Sequence, residues 1–332
     1  MNYNDIAVSA LCFSYNHEKY IARCLDGMVN QKTNFKYEII IHDDASTDHT
    51  QDIIMQYAEK YPDVIITILQ KENLYSQKKK HLPYILPYLH GKYVALCEGD
   101  DYWDNEKKLQ YQYDAMENNK CGICVGKVQC VNEDGSTNGL FFPPESMFKS
   151  GIIPDDIFLK KHFFENIYLF QTSSYFMQTD IYINRFKQEF SKYLNGDINM
   201  VFTGILNGGI YYIDKKLSCY RMNSIGSWTI RHRMSDVAKK IELMKRRELG
   251  ATYFDEATGG KYHDYIRFYM IRQSWDVLRG DIKMVRNQMK KYNATIYDIY
   301  KIEGLKGGFK YLLLYICPQL LWILLNKPDM PS

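Results

Sequence analysis

Three carboxylates lie within one short stretch of the chain, at Glu98, Asp100 and Asp101. An apolar run over residues 93–97 precedes them and predicts a buried strand, and Gly99 allows the backbone to turn sharply after it. Like charges this close together repel one another unless a cation or an extended turn separates them. Carboxylate oxygens on a tight turn suit Mg²⁺ or Mn²⁺, and Mg²⁺ commonly bridges to substrate phosphates. The alternative is a solvated acidic turn that caps the following helix.

Two further polar clusters, residues 14–17 and 43–48, also follow predicted strands. Apolar, β-leaning runs over residues 6–13 and 37–41 precede them. In sheets of parallel strands, ligands bind beyond the carboxyl ends of the strands. Helix capping explains a single polar residue such as Asn16, but not the paired aspartates in two of the three clusters. The three clusters together therefore favour one ligand-binding cleft.

Strands and helices alternate along the first part of the chain. The apolar spacing predicts helices over residues 18–29, 50–60 and 103–119, and a further strand over residues 64–69. This alternation predicts an α/β fold: a doubly wound, mostly parallel sheet with helices on both faces. From residue 234 to about residue 302 the pattern is helical, so we expect a helical C-terminal region.

The composition is that of an ordinary globular protein, with 332 residues of which 46% are hydrophobic and 24% charged. The net charge is only +3 and the basic residues are dispersed, which argues against a nucleic-acid-binding surface. The polar first residues do not read as a secretory signal, so we expect a cytoplasmic chain with reduced cysteines, mostly in the core. Cys121, Cys124 and Cys130 resemble half a zinc site, but a fourth ligand at suitable spacing is missing.

A further candidate site residue, Asp197, follows a glycine at the start of an apolar helical run over residues 198–206. A carboxylate at the start of a helix interacts favourably with the helix dipole. Local sequence therefore explains Asp197 at least as well by helix stability as by a place in a site.

The last apolar stretch, residues 309–325, is flanked by Lys306, Lys310 and Lys327. Pro318 interrupts it, and it falls short of the roughly 20 apolar residues that a membrane-spanning helix needs. Two interpretations stay open. The tail either packs on the protein as a C-terminal helix or lies at an anionic membrane surface, which the basic flanks suit.

Several segments, in this order, are similar to the family 2 glycosyltransferases. The specific ones are CFSYN at 12–16, EIIIHDDASTD at 38–48 and EGDDYW at 98–103. Weaker matches are the Gly-Asp pair that contains Asp197 and the segment 220–228. The resemblance implies a GT-A fold that binds a nucleotide sugar.

The resemblance covers roughly residues 5–230 and also implies a domain organisation. Residues 1–131 would form the nucleotide-sugar-binding half of a GT-A-like domain, and residues 132–230 the acceptor half. Residues 231–332 would form the helical C-terminal region with the apolar tail.

The resemblance implies roles position by position. Asp100 would hold a divalent cation, Mn²⁺ or Mg²⁺, on the donor diphosphate, and Asp197 would be the general base. The implied nucleotide-sugar-binding residues are Ser14, Tyr15, Asn16, Asp43, Asp44, Glu98, Gly99, Asp100, Arg221 and Trp228.

Among these residues, positions 14–16 would line the base and ribose pocket, and Asp43 or Asp44 would accept a hydrogen bond from the nucleobase, usually uracil. Arg221 and Trp228 would close over the diphosphate or the acceptor. Two positions depart from the family pattern. Glu98 replaces the first aspartate of the DxD motif, and an asparagine stands two residues after Arg221, where a histidine is often found.

The implied activity is that of an inverting, metal-dependent glycosyltransferase of the hexosyltransferase type. Its donor would be a nucleoside diphosphate sugar, usually of UDP, and its acceptor a saccharide or a lipid-linked molecule in surface polysaccharide biosynthesis. A membrane-facing tail would place the enzyme peripherally on the inner face of the cytoplasmic membrane.

Two other classes of protein stay open. A sugar-phosphate nucleotidyltransferase could use a similar sheet and acidic turn, but residues 14–19 lack the glycine- and arginine-rich phosphate loop that it would need. A non-catalytic, membrane-associated protein could retain the fold and bind nucleotide sugars without turning them over.

Overall fold

The computed structural model describes residues 5–165, 167–222, 224, 237–277 and 282–316. The described residues fall into two compact units. The sheet unit takes its residues from 1–158, 168–191 and 195–230, and the helical unit takes its residues from 159–167, 192–194 and 231–332.

The described residues form ten strands, all of them in one sheet of the sheet unit. They are β1 (Ile6–Ser14), β2 (Lys36–Asp43), β3 (Ile65–Leu69), β4 (Tyr93–Glu98), β5 (Tyr102–Trp103), β6 (Ile123–Val131), β7 (Thr137–Phe142), β8 (Gly151–Ile153), β9 (Phe176–Gln178) and β10 (Ile210–Arg221).

The α-helices lie between and after these strands. They are α1 (Ile21–Val29), α2 (Thr50–Lys60), α3 (Leu82–Ile85), α4 (Lys108–Asn118), α5 (Asp155–Leu159), α6 (Thr179–Asn184), α7 (Gly196–Leu206), α8 (Val237–Ala257), α9 (His263–Val277), α10 (Ile282–Lys291) and α11 (Ile296–Ile316). Short 3₁₀ and π segments supplement them, at Leu86–Tyr88, Lys160–Phe164, Thr172–Ser174, Arg185–Lys187 and Glu189–Lys192.

The strands follow the order β3-β2-β1-β4-β9-β6-β10-β5, with β7 paired to β6 and β8 paired to β10. The first four strands in this order pair in parallel, as do β6 and β10. β9 is antiparallel to both of its neighbours, β4 and β6. The predicted α/β fold with a helical C-terminal region is confirmed, and the second half of the sheet is mixed.

The central strands are buried on both faces. In β2 the three consecutive residues from Ile39 to Ile41 are at most 1% exposed, as expected where helices cover a parallel sheet. In α1 the buried residues Ile21, Cys24, Leu25 and Met28 recur at helical spacing and pack in the core beside the sheet. This packing holds the strand ends in fixed positions.

One predicted helix begins later than expected. The apolar spacing predicted a helix from Trp103, but Trp103 belongs to β5, which pairs antiparallel with β10, and α4 begins at Lys108. The indole Nε1 of Trp103 donates to the carbonyl oxygens of Leu96, at 3.3 Å, and Ser173, at 3.1 Å. Long-range pairing and these buried hydrogen bonds outweigh local helical spacing at this position.

The cysteines of the described residues are free and buried. Burial raises the pKa of Cys121 to about 11 and that of Cys130 to about 12, so these thiols are protonated near neutral pH. Cys124 lies on β6, fully buried in the core cluster of the sheet unit. These residues act as small apolar groups in the core.

The helical unit has its own core, formed by buried residues of α8, α9, α10 and α11. They are Met244, Ile271, Trp275, Val285, Met289, Ile299 and Leu314. Gly304, with φ of 66°, interrupts the helical conformation inside α11. None of the helices built from described residues combines the length and the apolar character needed to cross a bilayer. The predicted apolar tail is described only as far as residue 316.

Candidate active site

The three polar clusters predicted from the sequence lie at one edge of the sheet. β1 pairs with β2 on one side, which places Ser14 opposite Asp43, and with β4 on the other, which places Phe13 opposite Glu98. Because the three strands are parallel neighbours, the loops that follow them are also neighbours. Residues separated by more than 80 positions in sequence therefore meet around one location.

Asp43 is fully buried and accepts four hydrogen bonds from the protein. Its Oδ2 accepts from the hydroxyls of Ser14, at 2.8 Å, and Ser46, at 2.5 Å. Its Oδ1 accepts from the backbone nitrogen of Ser46, at 2.9 Å, and from Nε2 of Gln51, at 2.7 Å. A carboxylate has about four lone-pair sites. In this conformation Asp43 therefore joins the ends of β1 and β2 and has no free acceptor for a nucleobase.

Asp44 orders the loop that follows β3. Its two carboxylate oxygens accept from the backbone nitrogens of Leu74, at 2.7 Å, and Tyr75, at 3.1 Å. Its backbone carbonyl accepts from Nδ2 of Asn73 at 2.9 Å. Asp44 is half-buried and the Tyr75 ring is 67% exposed, so this loop presents an aromatic surface next to the strand ends.

The loop after β1 is held against the loop after β2. Asn16 has φ of 56°, a conformation that Asn tolerates better than most residues. Its Oδ1 accepts from the backbone nitrogen of Thr47, and its own backbone nitrogen donates to Oγ of Ser46, both at 2.8 Å. Ser14 is buried, whereas Tyr15 between them is 44% exposed. Of the predicted pocket residues 14–16, Tyr15 and Asn16 are exposed, and Tyr15 is the one with an aromatic ring to offer to a ligand.

Gly99 allows the acidic turn to approach the loop after β1. A Cβ atom on Gly99 would lie 2.7 Å from Nδ1 of His17 and 3.0 Å from Cβ of Ser14. The backbone nitrogen of Gly99 donates to the carbonyl of Phe13 at 2.8 Å, and that of Asp101 donates to the carbonyl of Glu98 at 2.9 Å. A larger side chain at residue 99 would therefore separate the two loops.

Asp101 faces the protein interior. It is 2% exposed, and its Oδ1 accepts from the backbone nitrogen of Arg221 at 2.9 Å. Burial first, and then the charges of Asp100 and Glu98, raise the pKa of Asp101 well above its usual range. This buried carboxyl group therefore supports the turn from the protein side and does not face solvent.

Glu98 and Asp100 face the cleft. Glu98 is solvent-exposed, but surrounding protein and the charges of Asp100 and Asp197 raise its pKa to about 8. Oδ2 of Asp100 accepts from the hydroxyl of Ser224 at 2.7 Å. Among the described residues, no basic side chain pairs with the carboxylate of Glu98 or Asp100.

These two carboxylates fit a divalent cation that is shared with a substrate. In the part of the chain that the structure describes, no three metal-ligating side chains converge on one point. Of the described residues, Asp100 and Glu98 are therefore the candidate oxygen ligands. Mg²⁺ is commonly bound in this way, through one or two carboxylates, several waters and the phosphates of the substrate.

Arg221, at the end of β10, connects the acidic turn to the β6–β7 hairpin. It is 4% exposed, and its Nε donates to the backbone carbonyl of Asp100 at 3.0 Å. Its guanidinium also donates to the carbonyls of Asn132, at 3.2 Å, and Glu133. In this conformation Arg221 positions the turn from behind. The predicted partner in closing the site, Trp228, lies outside the described residues.

Asp197 lies in the first turn of α7, and its charge contributes, after burial and the charge of Asp100, to the raised pKa of Glu98. Its Oδ1 accepts from the backbone nitrogen of Ile198 at 2.8 Å, as expected of a helix-start carboxylate. Its Oδ2 accepts from the hydroxyl of Tyr168 at 2.5 Å. The tertiary structure thus places Asp197 close to the acidic turn as well as at a helix start.

Tyr168 is the residue of this cleft that sequence reasoning missed. It is 38% exposed, and its ring packs edge-on against Phe142 with centroids 5.8 Å apart. It lies in a segment without regular secondary structure and is one of 29 tyrosines. No pattern in the sequence distinguishes it from the others.

The sequence model of Glycosyl transferase family 2 matches residues 9–185, more than half of the chain. The chain therefore belongs to the family 2 glycosyltransferases, and the resemblance drawn from its motifs is confirmed.

Curated relatives align with part of this chain. The uncharacterized protein Rv1520 of Mycobacterium tuberculosis is 39% identical over 137 residues, which are 41% of this chain and 39% of that protein. A poly(ribitol-phosphate) beta-glucosyltransferase of Bacillus spizizenii is 34% identical over 138 residues, which are 41% of this chain and 20% of that protein. The alignment spans well under half of the length of each relative.

Solved structures resemble nearly the whole chain. Staphylococcus aureus TarS 1-349 in complex with UDP-GlcNAc has a TM-score of 0.61 at 16% identity, covering 97% of this chain and 90% of that one. Mannosyltransferase PcManGT from Pyrobaculum calidifontis, in complex with GDP-Man and Mn²⁺, has a TM-score of 0.51 at 14% identity, with coverages of 96% and 84%. At these identities the likeness shows the fold, which is of the GT-A type.

Proposed function

We propose that this protein transfers a hexosyl group, with inversion, from a nucleoside diphosphate sugar to a hydroxyl of a saccharide or lipid-linked acceptor. The observation that carries the proposal is that carboxylates from separate elements interact: the charges of Asp100 and of Asp197, in the first turn of α7, both raise the pKa of Glu98 at the end of β4. A helix cap or a solvated turn would not require carboxylates from separate elements to face one another.

The proposed donor pocket lies between the acidic turn and the loops after β1 and β2. UDP-GlcNAc is bound to TarS, whose fold this chain shares, and this supports a UDP-sugar donor. The exposed rings of Tyr15 and Tyr75 provide aromatic surface for a base or ribose. Asp43, Asp44, Ser14 and Asn16 support that pocket through the hydrogen bonds described above.

We assign the divalent cation, Mn²⁺ or Mg²⁺, to Asp100 with Glu98 beside it. When bound, the cation neutralises charge that develops on the departing diphosphate. The PcManGT structure, which contains Mn²⁺, is consistent with this assignment. Gly99 and Arg221 hold the turn in place, through the close approach to His17 and the hydrogen bond to the Asp100 carbonyl.

Asp197 is the proposed general base. It accepts the proton of the acceptor hydroxyl while the acceptor oxygen bonds to the anomeric carbon of the donor. The bond between that carbon and the phosphate oxygen breaks at the same time, and the nucleoside diphosphate leaves with the electron pair. Attack opposite the leaving group inverts the anomeric centre.

The relatives support a place in surface polysaccharide synthesis. One of them is named as a poly(ribitol-phosphate) beta-glucosyltransferase, and another as a putative teichuronic acid biosynthesis glycosyltransferase. Acceptors of this kind are assembled at membranes. We therefore propose a cytoplasmic enzyme that associates peripherally with the inner face of the cytoplasmic membrane through its apolar C-terminal tail.

The deciding experiment is a donor-hydrolysis screen across UDP-, GDP- and dTDP-sugars with Mn²⁺, Mg²⁺ or EDTA. We expect one nucleotide class to be hydrolysed, with EDTA abolishing turnover and Asp100→Asn reducing it at least a hundredfold. The control is Asp104→Asn, an exposed carboxylate that pairs with Lys216 and should leave turnover unchanged.

Other outcomes of the screen would support the other classes of protein. Pyrophosphate release from a sugar phosphate and a nucleoside triphosphate would indicate a nucleotidyltransferase. Donor binding without turnover for any nucleotide class, with water or with saccharide acceptors, would indicate a binding protein.

A further inference from the structure

Tyr168 contacts the proposed base directly. Its hydroxyl donates to Oδ2 of Asp197 at 2.5 Å, while the other carboxylate oxygen accepts from the backbone nitrogen of Ile198. These two donors act on opposite oxygens, so they define one orientation of the carboxylate. In contrast to Asp43, which accepts four protein hydrogen bonds, Asp197 retains lone pairs for an acceptor hydroxyl.

The position of Tyr168 suits this contact. Its ring packs edge-on against Phe142, which restricts its rotation, and more than a third of its surface stays open to the cleft. The tyrosine is therefore held by packing on one side and reaches the carboxylate on the other.

We propose that Tyr168 is a positioning residue, whose hydroxyl orients the Asp197 carboxylate so that it can accept the proton of the attacking hydroxyl. This inference rests on the proposed function and adds a residue to it. A hydrogen bond to a charged group is worth more than one between neutral groups, so the contact is strong enough to hold the carboxylate in one orientation.

The proton of Tyr168 stays on the tyrosine during the reaction. Although Tyr168 is 38% exposed, the protein that surrounds the rest of the side chain, and then the charge of Asp197, hold its pKa well above its usual range. The other titratable groups that interact with this pair are Glu98 and Tyr175. Because Tyr168 does not ionise near neutral pH, it remains a donor to Asp197 and does not compete as the base.

The test compares Tyr168→Phe with a matched control, Tyr175→Phe. Tyr175 is a buried tyrosine of the same region, and its hydroxyl donates to the carbonyl of Phe170 at 3.2 Å instead of to Asp197. Both variants lose one hydroxyl and keep the ring. The reaction is hydrolysis, with water as acceptor, of the nucleotide sugar that the wild-type protein hydrolyses fastest.

For Tyr168→Phe we expect kcat to fall about ten- to hundredfold with the KM for the donor unchanged. The loss should fall on kcat and not on the KM for the donor, because the carboxylate is no longer held in one orientation while the donor site keeps its contacts. Tyr175→Phe should keep the wild-type kcat, and the thermal unfolding midpoint of each variant shows whether it is folded.

Four outcomes would overturn the inference. A Tyr168→Phe variant with the wild-type kcat would show that the hydroxyl is dispensable. Equal losses of kcat in Tyr168→Phe and Tyr175→Phe, or a loss of Tyr168→Phe that falls on the KM for the donor, would show that Tyr168 contributes only packing. A wild-type protein that hydrolyses no donor at all would remove the proposed function and this inference with it.

Discussion

Adjacent aspartates in this protein have different environments. In the pair Asp43 and Asp44, the first is buried under four hydrogen bonds and the second reaches the next loop. In the pair Asp100 and Asp101, the first faces the cleft and the second is buried beneath it. Each pair therefore supplies one buried support and one more exposed carboxylate.

The variant Asp197→Asn tests whether Asp197 acts as the general base or only stabilises the start of α7. The amide has the same shape but cannot accept the proton, so we expect kcat to fall by about 10²- to 10⁴-fold while donor affinity changes less than about twofold. Initial rates and calorimetric titration with the donor measure the two quantities.

The matched control for this variant is Asp180→Asn. Asp180 lies in the first turn of α6 and is exposed, so it shares the helix position of Asp197 without the cleft. This variant should keep the wild-type rate. Wild-type turnover by Asp197→Asn as well would show that Asp197 serves only the start of α7.

At the scale of elements, β5 brings distant parts of the chain to the acidic turn. Its residues Tyr102 and Trp103 pair with Cys219 and Ser218 of β10. This pairing places Arg221 two residues beyond the contact, at the backbone of the turn. The pairing of this two-residue strand therefore places the C-terminal end of β10 beside the acidic turn.

The helix that follows β5 begins with a buried lysine. Lys108 is 0% exposed, and its Nζ donates to Oε1 of Gln112 at 2.6 Å and lies 4.2 Å from the centre of the Trp103 ring. Burial lowers its pKa to about 7, whereas a lysine in the unfolded chain titrates near 10.4. Between these values the unfolded state binds more protons than the folded state, so the free energy of unfolding rises with pH.

Lys108→Met removes this titration. Relative to the variant, we expect the wild-type protein to gain stability as the pH rises above about 7, by up to about 1.4 kcal/mol per pH unit. Below pH 7 the difference in the free energy of unfolding should no longer change with pH. The Lys108→Met variant should have its largest stability advantage over the wild-type protein there. Urea unfolding at pH 6, 7, 8 and 9 measures it.

The neighbouring residue provides the control for this prediction. Lys107 is exposed, so in Lys107→Met the difference from the wild-type protein should not vary with pH over the same range. A pH-independent difference for Lys108→Met would mean that Lys108 stays charged in the folded protein, with more solvation than its burial indicates.

At the scale of the whole molecule, the cleft depends on strand order. β1 lies between β2 and β4, so the three polar clusters that follow these strands lie next to one another at one edge of the sheet. β9 then pairs antiparallel with both β4 and β6, so the chain that carries Tyr168 joins the same sheet unit. The helical unit has a separate hydrophobic core and ends, in the described residues, with α11.

The apolar tail leads to a prediction for the whole protein. Ending the chain after Ile316 removes the apolar residues of 317–325, so we expect the protein to move from the membrane fraction to the supernatant. Sedimentation with vesicles containing anionic lipid measures the change.

A point variant tests the same prediction without shortening the chain. The double change Leu320→Asp and Leu324→Asp should release the protein in the same way, since charged residues oppose burial in lipid. If the protein binds vesicles equally well with and without residues 317–332, the tail does not hold it at the membrane. That result would favour a tail that packs on the protein.

The sequence by itself determined the family, the α/β class and the location of three polar clusters at strand ends. It could do so because strand periodicity and the EGDDYW and DDASTD motifs are local properties of the chain. Local patterns carry no information about which face of a strand end a given carboxylate occupies. The motif resemblance assigned the cation to Asp100, but nothing in the sequence showed that Asp101 is buried and accepts a hydrogen bond from the backbone of Arg221.

The tertiary structure decided which groups meet. It buried Asp43 and Asp101, directed Arg221 to backbone carbonyls and placed Tyr168 on Asp197. These contacts depend on strand order and on long-range pairing, such as that of β5 with β10. Packing of the whole sheet sets them, because no short segment of the chain could hold such groups together against conformational entropy.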